Sequence, residues 1–145
     1  MAAGVRDIDH GWQKTLAELK KSARVRVGIL GDAGSDEVMI AAVQEFGSTD
    51  GRVPQRSFLR ATIDEQRESL LNKFENLLRS AAQGKQTTEQ ATAKFGMLVV
   101  SAVREKIRGR IAPANKPATI KRKGSDMPLI DTGRLIQSIK SGVVS

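Results

Sequence analysis

The sequence predicts an α+β domain: a small antiparallel or mixed β-sheet packed against two long antiparallel helices, with short helices near the N- and C-termini. Three observations predict it. Val25 to Leu30 alternates apolar and other side chains, as a half-buried strand does. Residues 61–82 and 87–108 carry apolar side chains at helical spacing, and the link between them is short enough to turn the second helix back along the first. Further on, Val143 and Val144 suit a second strand that would pair with Val25–Leu30.

A length of 145 residues fits one domain, 1–145. Aromatic residues are only 3%, with no tyrosine, so the core must be mostly aliphatic and base stacking is poorly served. The formal charge of +8 comes from 24 basic against 16 acidic residues, a basic but mixed balance. It suits contact with nucleic acid or with an acidic protein surface, and equally a surplus of lysine for solubility. The absence of cysteine excludes disulfides and thiolate metal sites and is compatible with a reducing cytoplasm. No apolar run has membrane-spanning length, and the first ten residues lack the apolar core of a secretion signal, so no membrane partner is expected.

In chain order, residues 8–21 read as a first helix, with Ile8, Trp12, Leu16 and Leu19 on one face, Asp7 or Asp9 as cap, and Trp12 as a packing anchor. His10, the lone histidine, suggests no metal site. After the strand, Gly28, Gly31 and Gly34 fail the spacing of a dinucleotide loop, and no Gly-Lys-Ser/Thr follows. Asp36 to Phe46 reads as a short helix capped by Ser35 or Asp36, burying Val38, Ala41, Ala42 and the Glu45/Phe46 end, with Gly47 at the left-handed cap position. Pro54 holds Val53 extended, and Phe58 and Leu59 tuck back into the core.

The first long helix starts at Ala61 or Thr62 and ends at Ala82, before Gly84. Thr87 or Thr88 caps the second, with Glu89 and Gln90 in its first turn, and Gly96 marks a close crossing. Residues 109–128 form no evident element and are expected to be a long basic loop, either an ordered arm or one that settles on assembly. With Arg104, Lys106 and Arg108, the residues Arg110, Lys116, Lys121, Arg122 and Lys123 form the main electrostatic feature. Asp131 or Thr132 caps a terminal helix that buries Leu135 and Ile139. A sheet of two strands is marginal, so a third strand from 109–128, or one from a neighbouring subunit, is expected.

No catalytic constellation emerges. Glu45 has no evident partner carboxylate, Asp131-Thr132-Gly133 is explained by helix capping, and one histidine gives poor material for a triad. The expectation is a protein that is not an enzyme and binds no cofactor or metal.

Four short motifs carry a resemblance. Val27-Gly28-Ile29 is followed by Ala41-Ala42-Val43-Gln44-Glu45-Phe46-Gly47. Val53-Pro54-Gln55-Arg56-Ser57-Phe58-Leu59-Arg60 comes next, and Pro128-Leu129-Ile130-Asp131-Thr132-Gly133-Arg134-Leu135 follows the two long helices. In this order they resemble the head-to-tail joining or tail-completion proteins of tailed bacteriophages, the tail-component or virion morphogenesis group, over roughly residues 25 to 145. Ser57 stands where that family usually has proline, a departure expected to loosen the turn before Phe58.

The resemblance implies a non-enzymatic virion protein at the neck or tail top, made in the host cytoplasm and assembled as a homo-oligomeric ring, often six-fold. Its partners would be other neck or tail proteins: a connector, a tail terminator or the tail tube. Arg56, Phe58, Arg60, Arg110, Lys116, Lys121, Arg122, Lys123 and Arg134 are then the expected subunit or partner contacts. Gly28, Glu45, Phe46, Gly47, Pro54, Asp131, Thr132 and Gly133 are expected to support the fold. The charge cluster leaves an alternative, a nucleic-acid-binding accessory module using residues 104–123. A small hydrolase would need a buried carboxylate pair that the sequence does not assemble.

Overall fold

The alternation around Val27 folds as strand β1 (Arg24–Ile29), with Val25, Val27 and Ile29 half-buried and Arg24 and Arg26 exposed. The structure, a computed structural model, describes residues 11–31, 33–109, 111, 113, 116–123 and 133–144. Strand β2 (Ile139–Val144) pairs with β1 antiparallel, setting Val143 opposite Val25 and Ile139 opposite Ile29. Among the described residues the sheet has these two strands only. The described residues of 109–128 form no third strand. Part of that segment is a short helix, for which Pro117 supplies a favourable first position and the Lys116 carbonyl accepts from the N–H of Thr119 and Ile120.

The protein is therefore α-rich. Among the described residues seven helices accompany the sheet: α1 (Trp12–Lys20), α2 (Ser35–Phe46), α3 (Leu59–Glu65), α4 (Arg67–Ala82), α5 (Thr88–Arg108), α6 (Pro117–Lys123) and α7 (Arg134–Ser138). Helix α5 is the common backing, touching both strands and also α3 and α4. It begins with a reciprocal capping box, in which Thr87 Oγ1 accepts from the Gln90 N–H and Gln90 Oε1 accepts from the Thr87 N–H. Val99, Val100, Val103 and Ile107 then line a core shared with Phe58, Leu70, Leu135 and Ile139.

Gly96 is where α5 meets the sheet. A Cβ placed there would lie 2.6 Å from Val25 Cγ2 and 2.9 Å from Ser141 Cβ, so the absent side chain is what admits both strands. Against α4, Phe74 meets Phe95 with ring centroids 4.5 Å apart. The Lys106–Glu65 ion pair ties α5 to the last residue of α3.

Four sequence expectations need correction. The first long helix is interrupted at Gln66 (φ −106°, ψ 13°), although backbone hydrogen bonds from Gln66 to Thr62 and from Leu70 to Gln66 carry on through the break. Trp12 is exposed, and α1 buries none of its residues. Helix α1 rests against α4 and is tied down by polar bonds at its far end, where Glu18 accepts from Thr88 through both its carboxylate and its carbonyl. The expected cap residues of α1 (Asp7, Asp9), with Ile8 and His10, lie outside the described residues. Helix α2 has Gly34 at its N-cap without a side-chain bond, and it buries only Ala41 and Glu45. Val38, Ala42 and Phe46 are exposed, since the contacts of α2 with β1 and α7 and its bonds to the start of α3 leave that side uncovered among the described residues. Lastly, Gly133 (φ 73°) is the N-cap of α7, its carbonyl accepting from Gln137, while Asp131 and Thr132 lie outside the described residues.

Gly96→Ala sets a helix-propensity gain of about 1 kcal/mol against overpacking of roughly 1–3 kcal/mol. Because the closest atoms belong to a β-branched side chain on a strand, overpacking wins. Urea unfolding is expected to show net destabilisation for Gly96→Ala and a larger loss for Gly96→Val.

Candidate functional site

The C-terminal turn of α2 and the N-terminus of α3 are joined through one carboxylate. Glu45 lies on the single buried line of α2 and reaches the first turn of α3, whose free N–H groups need acceptors. Its Oε2 accepts from the N–H of Phe58 at 2.9 Å and of Leu59 at 2.9 Å. Its Oε1 accepts from the Arg60 N–H at 3.1 Å and from the Ser57 hydroxyl at 2.7 Å. Phe58, the N-cap residue of α3, has no capping side chain, so a residue from another helix caps it. Burial pushes the Glu45 carboxyl up, but the donors Leu59, Ser57, Arg60 and Phe58 together hold it below its ordinary value.

The intervening arm is pinned at each step. Gly47 takes φ 81° to leave α2, and a Cβ there would lie 3.2 Å from the Gln55 nitrogen. Ser48 closes the loop, its N–H donating to the Val53 carbonyl while its Oγ accepts from the Val53 N–H. Gln55 donates to the Glu45 carbonyl, and the Arg56 N–H donates to the Gln44 carbonyl. The Arg56 side chain crosses to 109–128 and donates through Nε to the Pro113 carbonyl at 2.8 Å.

Two expected partner contacts are thereby spent inside the chain. Arg56 is buried on a carbonyl and Phe58 is buried in the core. Arg60 is exposed, its guanidinium 5.9 Å from the centroid of the Phe46 ring. Phe46 therefore belongs to the surface rather than to the fold's interior. Ser57 tightens the turn it was expected to loosen, for its Oγ bridges Glu45 and the Ala61 N–H. Pro54 is exposed on the arm, and Gly28 is buried with Leu59 Cδ2 3.9 Å from where a Cβ would stand.

The described end of the last motif, Gly133-Arg134-Leu135, comes to the same side. Arg134 on α7 pairs with Glu37 on α2, and Leu135 enters the core with Ala41 and Phe58. Arg104, which the sequence placed in the basic cluster, donates to the carbonyls of Ile136 at 3.1 Å and Ile139 at 2.9 Å, fixing α7 and β2 to α5. Lys106 is likewise held by Glu65. Of the expected cluster, Arg108, Lys116, Lys121 and Arg122 are exposed. Arg110 and the Lys123 side chain lie outside the described residues.

Sequence reasoning missed Arg104 and Glu18 as tethers. Nothing in their spacing marks either, because both act on groups far along the chain. Among the described residues no three His, Cys, Asp or Glu side chains are grouped to hold a metal ion, and no helix is long and apolar enough to cross a membrane. No family model, curated protein or solved structure matches the chain.

Glu45→Ala is expected to cost about 2–4 kcal/mol, since four donors lose a buried anionic acceptor. The lowered carboxyl also fixes a pH dependence. Its stabilisation is complete above the ordinary value of 4.5 and is lost as pH falls through the lowered folded value. Urea midpoints measured from neutral to acid pH should show this limb in the native chain and a shallower one in Glu45→Gln.

Proposed function

We propose that the chain is a structural virion protein of a tailed bacteriophage, acting at the neck or tail top without catalysis. In this reading it joins head to tail or completes the tail by assembling as a ring, possessing a small sheet backed by two long antiparallel helices. The observation that carries the reading is the convergence of the resembling motifs. Glu45-Phe46-Gly47 and Arg56-Ser57-Phe58-Leu59-Arg60, separated in sequence, are one hydrogen-bonded unit through the Glu45 carboxylate. Gly133-Arg134-Leu135 joins that unit through Glu37 and the shared core. The residues that define the likeness thus build a scaffold, which is what an assembly protein needs of them. Arg60, with the exposed cations of α6, supplies the contacts to neighbouring neck or tail proteins.

Quantitative mass spectrometry of complete virions, isolated heads and isolated tails tests this. The expected result is about six copies per particle, as one closed ring would give. Recovery with tails assigns tail completion, and recovery with heads assigns the connector side. Absence from every particle overturns the reading.

A second reading, a nucleic-acid-binding accessory module, is favoured by Arg108, Lys116, Lys121 and Arg122, which point to solvent. Titration with duplex DNA at several salt concentrations is expected to give a log–log slope no steeper than about −4 if these four alone meet phosphates. No measurable salt-sensitive binding removes this reading.

A further inference from the structure

Helix α2 carries apolar side chains around most of its circumference, yet of its residues only Ala41 and Glu45 are buried among the described residues. Met39 (67% exposed) and Phe46 (63%) lie two turns apart on the outward side, flanked by Val38, Ala42 and Ile40. A helix with this pattern is normally enclosed. Together the four large side chains expose on the order of 400 Å² of apolar surface, the size of the largest patch on a typical monomer, which is often functional.

The charges at its two ends select the occupant. Asp36 is exposed in the first turn, and the Arg60 guanidinium sits over the Phe46 ring at the last. On this face the first turn offers the carboxylate of Asp36, next to the Glu37–Arg134 pair, and the last turn offers the Arg60 guanidinium, so a second α2 laid antiparallel matches both at once. We infer that the free protein pairs with a second copy of itself through α2, about a two-fold axis near Ala42 and Val43. Met39 of each copy then meets the partner's Phe46, a favourable sulfur–aromatic contact, and Asp36 of each faces the partner's Arg60. Small Ala42 at the axis lets the helices approach closely, and the opposed helix dipoles add to the match.

Two such patches bury on the order of 800 Å² of apolar surface, and the polar rim brings the total near the lower limit of specific interfaces. The pair is accordingly of moderate strength, with dissociation in the micromolar range. This goes beyond the virion reading and does not rest on it. A two-fold contact closes on itself and cannot propagate a ring.

Sedimentation equilibrium of the full chain, from about 1 to about 200 µM, tests the pairing. The mass is expected to rise from that of one chain to that of two. Phe46→Ser and Met39→Ser each weaken the pair at least tenfold while leaving the unfolding midpoint nearly unchanged, since both side chains are exposed. Asp36→Lys and Arg60→Glu each weaken it, and the double variant recovers most of the loss, which a merely structural effect of either change would not do. A single-chain mass at every concentration overturns the inference. So does a pair indifferent to Phe46 and Met39, or association that runs past two copies.

Discussion

A carboxylate with four donors around it governs how this chain turns from its first half into its second. Glu45 is the last residue but one of α2, where the helix dipole disfavours a negative charge by roughly 0.3–1 kcal/mol. The N-terminus of α3 reverses that balance, because hydrogen bonds to a charged acceptor contribute roughly 1.5–3 kcal/mol each. Once the carboxylate is committed, residues 47–57 have no freedom to wander. Gly47 must turn, the Arg56 N–H must return to the Gln44 carbonyl, and Phe58 must enter the core. Arg56 then carries the constraint across to Pro113 in a distant part of the chain.

The cations divide by what they touch. Arg56 and Arg104 spend their guanidinium groups on backbone carbonyls, with planar forks suited to several acceptors. Lys106 and Arg134 meet carboxylates on other helices. These four act as braces between elements that are remote in sequence. Arg108, Lys116, Lys121 and Arg122 face outward. A net charge of +8 is thus a poor guide to the surface until the internal uses have been subtracted.

What was legible in the sequence was what depends on near neighbours. The period of 87–108, the capping box at Thr87 and Gln90, the alternation of Val25–Ile29 and the tight crossing at Gly96 all follow from local spacing or from a missing side chain. Trp12 and Phe46 were misread because size and period say that a side chain wants cover, not that the chain supplies it. Glu45 drew notice for lacking a partner carboxylate, whereas its partners are the Ser57 hydroxyl and three backbone N–H groups, which carry no sequence signature. The helix at 117–123 lies within the stretch read as a loop, and it is too short to show a clear period, with Pro117 in its first turn.

The sheet joins Ile29 to Ile139, so its two strands enclose roughly a hundred residues. Closing a loop of that length costs roughly 4 kcal/mol of chain entropy before the first cross-strand bond forms. Helix α5, touching both strands, bridges that interval. During synthesis β1 therefore waits, with Val25, Val27 and Ile29 open to solvent on a bare edge, until residues 139–144 have emerged. The strand pair is a clasp that can fasten only after α5 has been made. A nascent chain is most exposed to mispairing in the interval when α5 is made and β2 is not.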